Sequence, residues 1–479
     1  MHIDFENLWE RLPKAPVRFL GWGLIGMWSN VMYLHPAVAF PNLPEDSRTA
    51  FDLALIAVMA IAAILARFLP GFAPLVGQRW APPCALALLL ASTSINFGAA
   101  ILGSAPSAIM QAALIMGGIG AAIMMLLTSE FFGLIHPKRT ILYMSLGWLA
   151  GMVSAVFLRA LPLPYLWISM TAIPVVMLLC LWRSYASLSA SELSLTPSSR
   201  FSFPLLPLIP IVLCAVVKRG LNALAPLEFN TEAINDAGMI AAALIVLAGL
   251  TLRGGNLNMR TLWKLGVCLM TISVAAFTMA VQDWSSEAVF AAGLGMAVLS
   301  TTAYYLLFLL MTAILANISY RWGVCALWLF AIENATHLLA GTGAMAGTEW
   351  LMRIAGAETV ILDTAFAVFA VAAMMVIALL FRRFSPDSLW GLSIGDEEAF
   401  GESERLRCLC ERLIDEGGLT QREGEVLFMC MQGKRPATIA EELFVGVSTV
   451  RTHIKHFYAK LGVHSRKELM ELIGARRAQ

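Results

Sequence analysis

Long apolar runs recur along the chain up to residue 383, broken by short polar or proline-containing turns, and beyond that point the pattern changes. A hydrocarbon core of ~30 Å is crossed by ~20 apolar residues in a helix. Twelve such segments fit: Phe19–Phe40, Phe51–Phe68, Pro82–Leu102, Ser107–Leu127, Thr140–Leu158, Pro164–Leu181, Pro204–Leu224, Gly238–Leu252, Leu262–Val281, Ala288–Leu315, Val324–Met345 and Val360–Phe381. After residue 383 the apolar positions return at intervals of three and four, the spacing of short helices with one buried face. The expected fold is all-α: a polytopic transmembrane helix bundle of about 12 spans, followed by a small four-helix domain.

Punctuation divides the chain further. The Ser-rich stretch RSYASLSASELSLTPSSRFSFP, near residues 183–203, separates six spans from six within a membrane domain expected over 1–383. Residues 384–418 read as an acidic linker in which Leu406, Leu409, Leu413 and Ile414 share a helical face, suited to packing on the last domain (419–479) or on a second copy. With 59% hydrophobic and only 14% charged residues over 479 positions, the composition excludes a protein that is soluble throughout. Lys and Arg gather on the cytoplasmic side of membrane proteins. With the N-terminus inside, the outer loops hold only Arg48, Arg159, Lys218, Arg219 and Arg353, and an even span count returns the C-terminus to the cytoplasm. The opening MHIDFENLWERLPKAP is polar, and the apolar run after it is long enough to span, so it reads as an anchor. Cys408 and Cys410 lack the further ligands zinc takes. No nucleophile with a base and no phosphate loop is evident, so neither an enzyme nor a cofactor is expected.

The last domain carries the sharpest local signals. Thr420 and Glu423 form a capping-box pattern, followed by apolar Val426, Leu427, Met429 and Cys430, with Glu423, Glu425 and Gln432 left for water, and then Gly433 as a stop. Pro436 opens a second helix with Ile439, Ala440 and Leu443 on one side, and Phe444, Val445 and Gly446 make a tight corner. Ser448 to Lys460 is then apolar at Val450, Ile454, Phe457, Tyr458 and Leu461, and polar or basic at Thr449, Arg451, Thr452, Lys455, His456 and Lys460. A helix so divided packs with one face and offers the other to the major groove, where Arg and Lys pair with guanine acceptors and a Thr methyl meets thymine. Ser465 is placed to cap a fourth helix.

The segment resembles the LuxR-type (GerE-like) helix-turn-helix. The resemblance rests on Leu419, Thr420, Arg422 and Glu423; Ile439, Ala440 and Leu443; Thr449, Val450 and His453; Lys460, Leu461 and Gly462; and Ser465 and Arg466. Gly446 stands where the family usually has a serine, and Pro436 replaces a polar residue. The resemblance implies a transcriptional regulator in which Arg451, Thr452 and Lys455 face base edges while Thr449, Lys460, Arg422 and Arg466 hold phosphates. From Leu419 onward ten Lys and Arg stand against six Asp and Glu, a net charge of +4, modest enough that a homodimer on double-stranded DNA is expected.

The 6+6 layout is similar to the major facilitator transporters, although the loop PGFAPLVGQRWAP lacks their Gly, Asp and Arg signature. Ionisable groups within spans are functional candidates because hydrocarbon makes them costly. Glu333 and His337 stand four apart on one face of span eleven beside Asn334, and Lys218 with Arg219 falls in span seven. Together they suit an acidic or aromatic small molecule. They equally suit a Glu333–His337 bond with Lys218 and Arg219 snorkelling outward. Asp363 reads as interfacial. The expected protein lies in the bacterial inner membrane with both termini cytoplasmic, senses a small molecule through its membrane domain and binds DNA through its tail. The rival reading is a proton-coupled or facilitative transporter with a regulatory tail.

Overall fold

The computed structural model describes residues 21–34, 48–69, 71–135, 137–186, 205–224, 232–252, 259–280, 287–322, 324–355, 359–383, 413–414, 417–431, 436–443, 445–465 and 468–469. The chain forms two compact units, Met1–Ile394 and Gly395–Gln479.

The helices described in the first unit are α1 (Gly21–Leu34), α2 (Arg48–Phe68), α3 (Ala81–Leu102), α4 (Ser107–Leu134), α5 (Pro137–Arg159), α6 (Leu163–Tyr185), α7 (Leu205–Leu224), α8 (Glu232–Leu252), α9 (Met259–Ala280), α10 (Glu287–Trp322), α11 (Ala326–Ala355) and α12 (Thr359–Arg383). Among the described residues nine helices are long and apolar enough to cross a membrane. Each of the twelve expected segments overlaps one of the helices α1–α12, the nine among them, so this is a multi-pass membrane protein. Several helices outrun the apolar segment that announced them. α4 continues past Leu127 to Leu134, and α11 past Met345 to Ala355. The extra turn of α4 contains Thr128, Ser129 and Glu130, all buried against protein, where a polar group can find a partner that lipid would not supply.

The two halves repeat each other. α1 packs on α5, α2 on α4, α3 on α4 and α3 on α6; six helices later, α7 packs on α11, α8 on α10, α9 on α10 and α9 on α12. Between halves, α2 runs along α11 and α5 along α8, a pair of contacts that the same six-helix shift exchanges. This is the two-fold internal repeat seen in transporter folds. Close approach inside a half relies on missing side chains: a Cβ on Gly23 of α1 would lie 1.7 Å from the Gly147 carbonyl oxygen of α5. Between α2 and α3, the backbone N–H groups of Leu75 and Val76 donate to the Glu130 carboxyl group of α4 (2.6 and 3.1 Å), so a side chain of a neighbouring helix pins that loop.

The second unit contains α13 (Gln421–Met431), α14 (Pro436–Leu443) and α15 (Val447–Leu461). α15 packs on both others, burying Val450 and Phe457 against Val426, Leu427, Ile439 and Ala440. Leu413 of the acidic linker is buried in the same core, and Ile414 packs against Gly424. Leu406, Leu409, Cys408, Cys410, Gln432 and Gly433 lie outside the described residues, as does most of the fourth helix.

Candidate functional site

In the second unit the local chemistry fixes α15 before any partner is considered. The capping box forms as the spacing predicts: Thr420 N–H donates to Glu423 Oε2 (2.8 Å), and Glu423 N–H to Thr420 Oγ1 (3.4 Å). Glu423 is not left to water. It is 4% exposed, because Lys460 reaches from the end of α15 to place its ammonium 2.7 Å from the same carboxylate and 3.2 Å from the Gly418 carbonyl. The Lys460 bond and the Thr420 backbone donor hold the Glu423 carboxyl down to about 2 from the usual 4.5. A carboxylate depressed on folding contributes stability that is complete above its unfolded value and lost as pH falls from about 4.3 through 2. The unfolding midpoint of residues 395–479, followed by circular dichroism, should therefore drop between pH 5 and pH 2, and Glu423→Gln should flatten that drop while lowering the midpoint at pH 6. An unchanged slope in the variant would show that other groups set it.

α15 starts after Gly446, whose carbonyl accepts the Val450 N–H (3.1 Å). It ends at Gly462, held at φ 68°, while Val463 N–H returns to the Tyr458 carbonyl (3.0 Å). Between these ends Thr449, Arg451, Thr452 and Lys455 are exposed, opposite buried Val450 and Phe457. Arg422 is exposed too and pairs at 2.7 Å with Glu425, a surface contact weak enough to exchange. Ser465 accepts the Glu468 N–H (3.1 Å), the expected cap, and Arg466 lies outside the described residues.

Residues 418–473 match the model of the bacterial regulatory proteins of the luxR family. They are a LuxR-type DNA-binding domain. The domain is 41% identical over 64 residues to the transcriptional regulatory protein LiaR of Bacillus subtilis, covering 13% of this chain and 30% of that protein. To the HTH-type transcriptional regulator MalT of Yersinia pestis it is 44% identical over 59 residues, 12% of this chain and 6% of MalT. The chain thus spans less than a third of these relatives, and the LuxR-type domain is what they share.

The first unit has a transporter-like fold. It is similar to a bacterial homologue of the iron transporter ferroportin in its outward-facing state, at a TM-score of 0.51 with 15% identity, over 80% of this chain and 99% of that one. The major facilitator proton:xylose symporter XylE compares at a TM-score of 0.48 with 14% identity over 78% of this chain.

Between the two halves of this unit lies a cavity of about 220 Å³. Lys218 and Arg219 of α7 and His337 and Asn334 of α11 all line it. Lys218 does not snorkel: it is 7% exposed, its ammonium 4.9 and 4.8 Å from the ring centres of Tyr304 and Tyr305 on α10. Arg219 reaches across the halves to Asp52 of α2 (3.7 Å). The His337 Nδ1 stands 2.9 Å from the Glu333 carbonyl and 3.0 Å from its carboxylate, and Glu333 is fully buried behind the ring rather than on the cavity wall. Trp148 of α5 adds an aromatic wall, edge-on to Tyr305 and stacked at 5.7 Å on Phe308.

A second polar cluster spans the same interface and was not legible beforehand. Asp236 of α8 accepts from Asn30 of α1 and pairs with Arg159 of α5. Asn235 donates to Asn30 Oδ1 (3.0 Å) and accepts the Tyr305 hydroxyl (2.9 Å). Arg159, read as an outer-loop charge, is the last residue of α5, its side chain 10% exposed. Glu232, Asn235 and Asp236 lie just before the apolar segment expected from Gly238, whereas α8 begins at Glu232.

Proposed function

We propose that the protein is a membrane-embedded transcriptional regulator that binds operator DNA through its LuxR-type domain in response to a small molecule held between the halves of its membrane unit. The observation that carries the reading is the exposed face of α15. Arg451, Thr452 and Lys455 stand free of the core, and they are residue types that read base edges. Thr449, Arg422 and Arg466 would hold phosphates. Lys460 would add the ammonium hydrogen that remains after Glu423 and Gly418 have taken two. A homodimer is the expected bound form, since two-fold half-sites double the contacts. In this reading the membrane is the bacterial inner membrane and both termini are cytoplasmic, which brings the domain to DNA. Chromatin crosslinking of the tagged full-length protein should give discrete peaks that vanish in an Arg451→Ala, Lys455→Ala double variant. Peaks that survive the substitutions would remove base reading from these residues.

The transporter-like fold and the cavity between its halves favour a second reading, a proton-coupled or facilitative transporter whose tail is regulatory, with Glu333 and His337 handling the proton. Uptake of solute into vesicles holding the purified protein, abolished by His337→Ala, would establish it.

A further inference from the structure

We infer that the cavity between the halves takes a compact organic anion with a flat aromatic body and a hydrogen-bond donor, an inference that rests on reading this cavity as the regulator's ligand site. Three observations define that chemistry. Lys218 and Arg219 bring two cationic groups to one wall, and among the described residues that line the cavity Asp52 is the one carboxylate, with Glu333 set behind His337. A buried ammonium in a low-dielectric site favours an anion far more than water does. Asn334 supplies the opposite demand. It is 3% exposed, its Nδ2 donates to the Phe330 carbonyl (2.8 Å), and its Oδ1 has no hydrogen-bond partner among the described residues. A buried acceptor left open is costly, and a ligand hydroxyl or N–H would satisfy it. One side of the cavity is aromatic, with Trp148 edge-on to Tyr305 and stacked on Phe308, and aliphatic Ile25, Leu55 and Leu338 with Met125 and Met239 complete the lining, a setting that suits a planar ring held against the aromatic side. The cavity of about 220 Å³ lies below the ~300–1,000 Å³ of drug-sized sites, so one ring is the fitting size.

The position of Arg219 adds a consequence. Its guanidinium faces Asp52 across the halves at 3.7 Å, so an incoming carboxylate competes with Asp52 for the same cation. Binding therefore loosens one contact between α2 and α7 as it fills the cavity, which links occupancy to the arrangement of the halves.

The test uses the full-length protein in detergent, its unfolding midpoint read by tryptophan fluorescence. The probes are benzoate, 4-hydroxybenzoate, phenylacetate and 4-hydroxyphenylacetate, beside their methyl esters, the corresponding benzylamines and cyclohexanecarboxylate. At least one hydroxyaryl carboxylate should raise the midpoint with saturation, and its ester, its amine analogue and the cyclohexane acid should not. Lys218→Gln should weaken that ligand at least tenfold and Lys218→Arg should retain it. Asn334→Leu should erase the preference for the hydroxylated member. Asp52→Asn should tighten carboxylate binding several-fold, a gain that misfolding cannot imitate. Equal stabilisation by ester or amine, weaker binding in Asp52→Asn, or no carboxylate shifting the wild-type midpoint would overturn the ligand class. The regulator reading fails separately: a carboxylate that binds while the crosslinking peaks are absent would refute the regulator and leave the ligand class standing.

Discussion

Alanine at both Arg451 and Lys455 should cost the LuxR-type domain at least about thirtyfold in affinity for its operator, because each good side-chain-to-base pairing contributes ~1–3 kcal/mol of discrimination. The two side chains stand four residues apart on α15 and so share a face. Both are exposed, while Val450 and Phe457 hold the helix from its other side, so their loss should leave the fold intact. Operator fragments recovered by crosslinking supply the DNA, and circular dichroism supplies the control for folding. Specific and scrambled duplexes, titrated at several salt concentrations, separate the roles. Arg451→Ala and Lys455→Ala should lower the ratio of specific to non-specific affinity. Arg466→Ala should weaken both duplexes alike and reduce the salt slope by roughly one. If the double variant keeps the wild-type ratio, these residues do not read bases.

The difference between what was legible in the two units follows from where their interactions lie along the chain. In the LuxR-type domain the determining contacts are local: Thr420 with Glu423, Ser465 with Glu468 and the corner at Gly446 are written within three or four residues of each other. A contact there that no local pattern records, Glu423 with Lys460, joins residues 37 positions apart. In the membrane unit, hydropathy reports what a helix shows to lipid, and it located every described helix. It is silent on polar groups whose partner sits on another helix, and it clipped the spans at the places where such groups begin. Glu130 with the Leu75 loop and Asp236 with Arg159 both fell beyond the clipped ends. Lys218, Arg219, Asn334 and His337 were visible as ionisable or polar groups in apolar surroundings, and the sequence suggested one site for them without a geometry to join them. That they meet in one cavity follows from the pairing of α7 with α11, which no local spacing records.

Replacing Arg159 with methionine should destabilise the membrane unit by about 3–5 kcal/mol, because it removes one partner of a buried ion pair and leaves the other charged. The Asp236 side chain is 3% exposed, and Asn30, which also donates to it, cannot neutralise a carboxylate. Against total stabilities of ~5–15 kcal/mol, a loss of that size should show as a lower yield of monodisperse protein and a lower unfolding midpoint in detergent. Adding Asp236→Asn should restore most of it, since both charges are then gone and the amide can still accept from Asn30. The pair joins α5 to α8, one of the two helix pairs that run most extensively along each other between the halves, while α2 and α11 form the other. The two seams therefore do different work in the proposed regulator. The α5–α8 seam is locked by a buried charge pair with Asn30, Asn235 and Tyr305 around it, whereas beside the α2–α11 seam the longer Arg219–Asp52 contact faces the cavity, where an anion can reach it. A wild-type midpoint in Arg159→Met would show that the α5–α8 seam does not depend on its charge pair, and a double variant as unstable as the single would show that the pair's attraction outweighs the burial of an unpaired carboxylate.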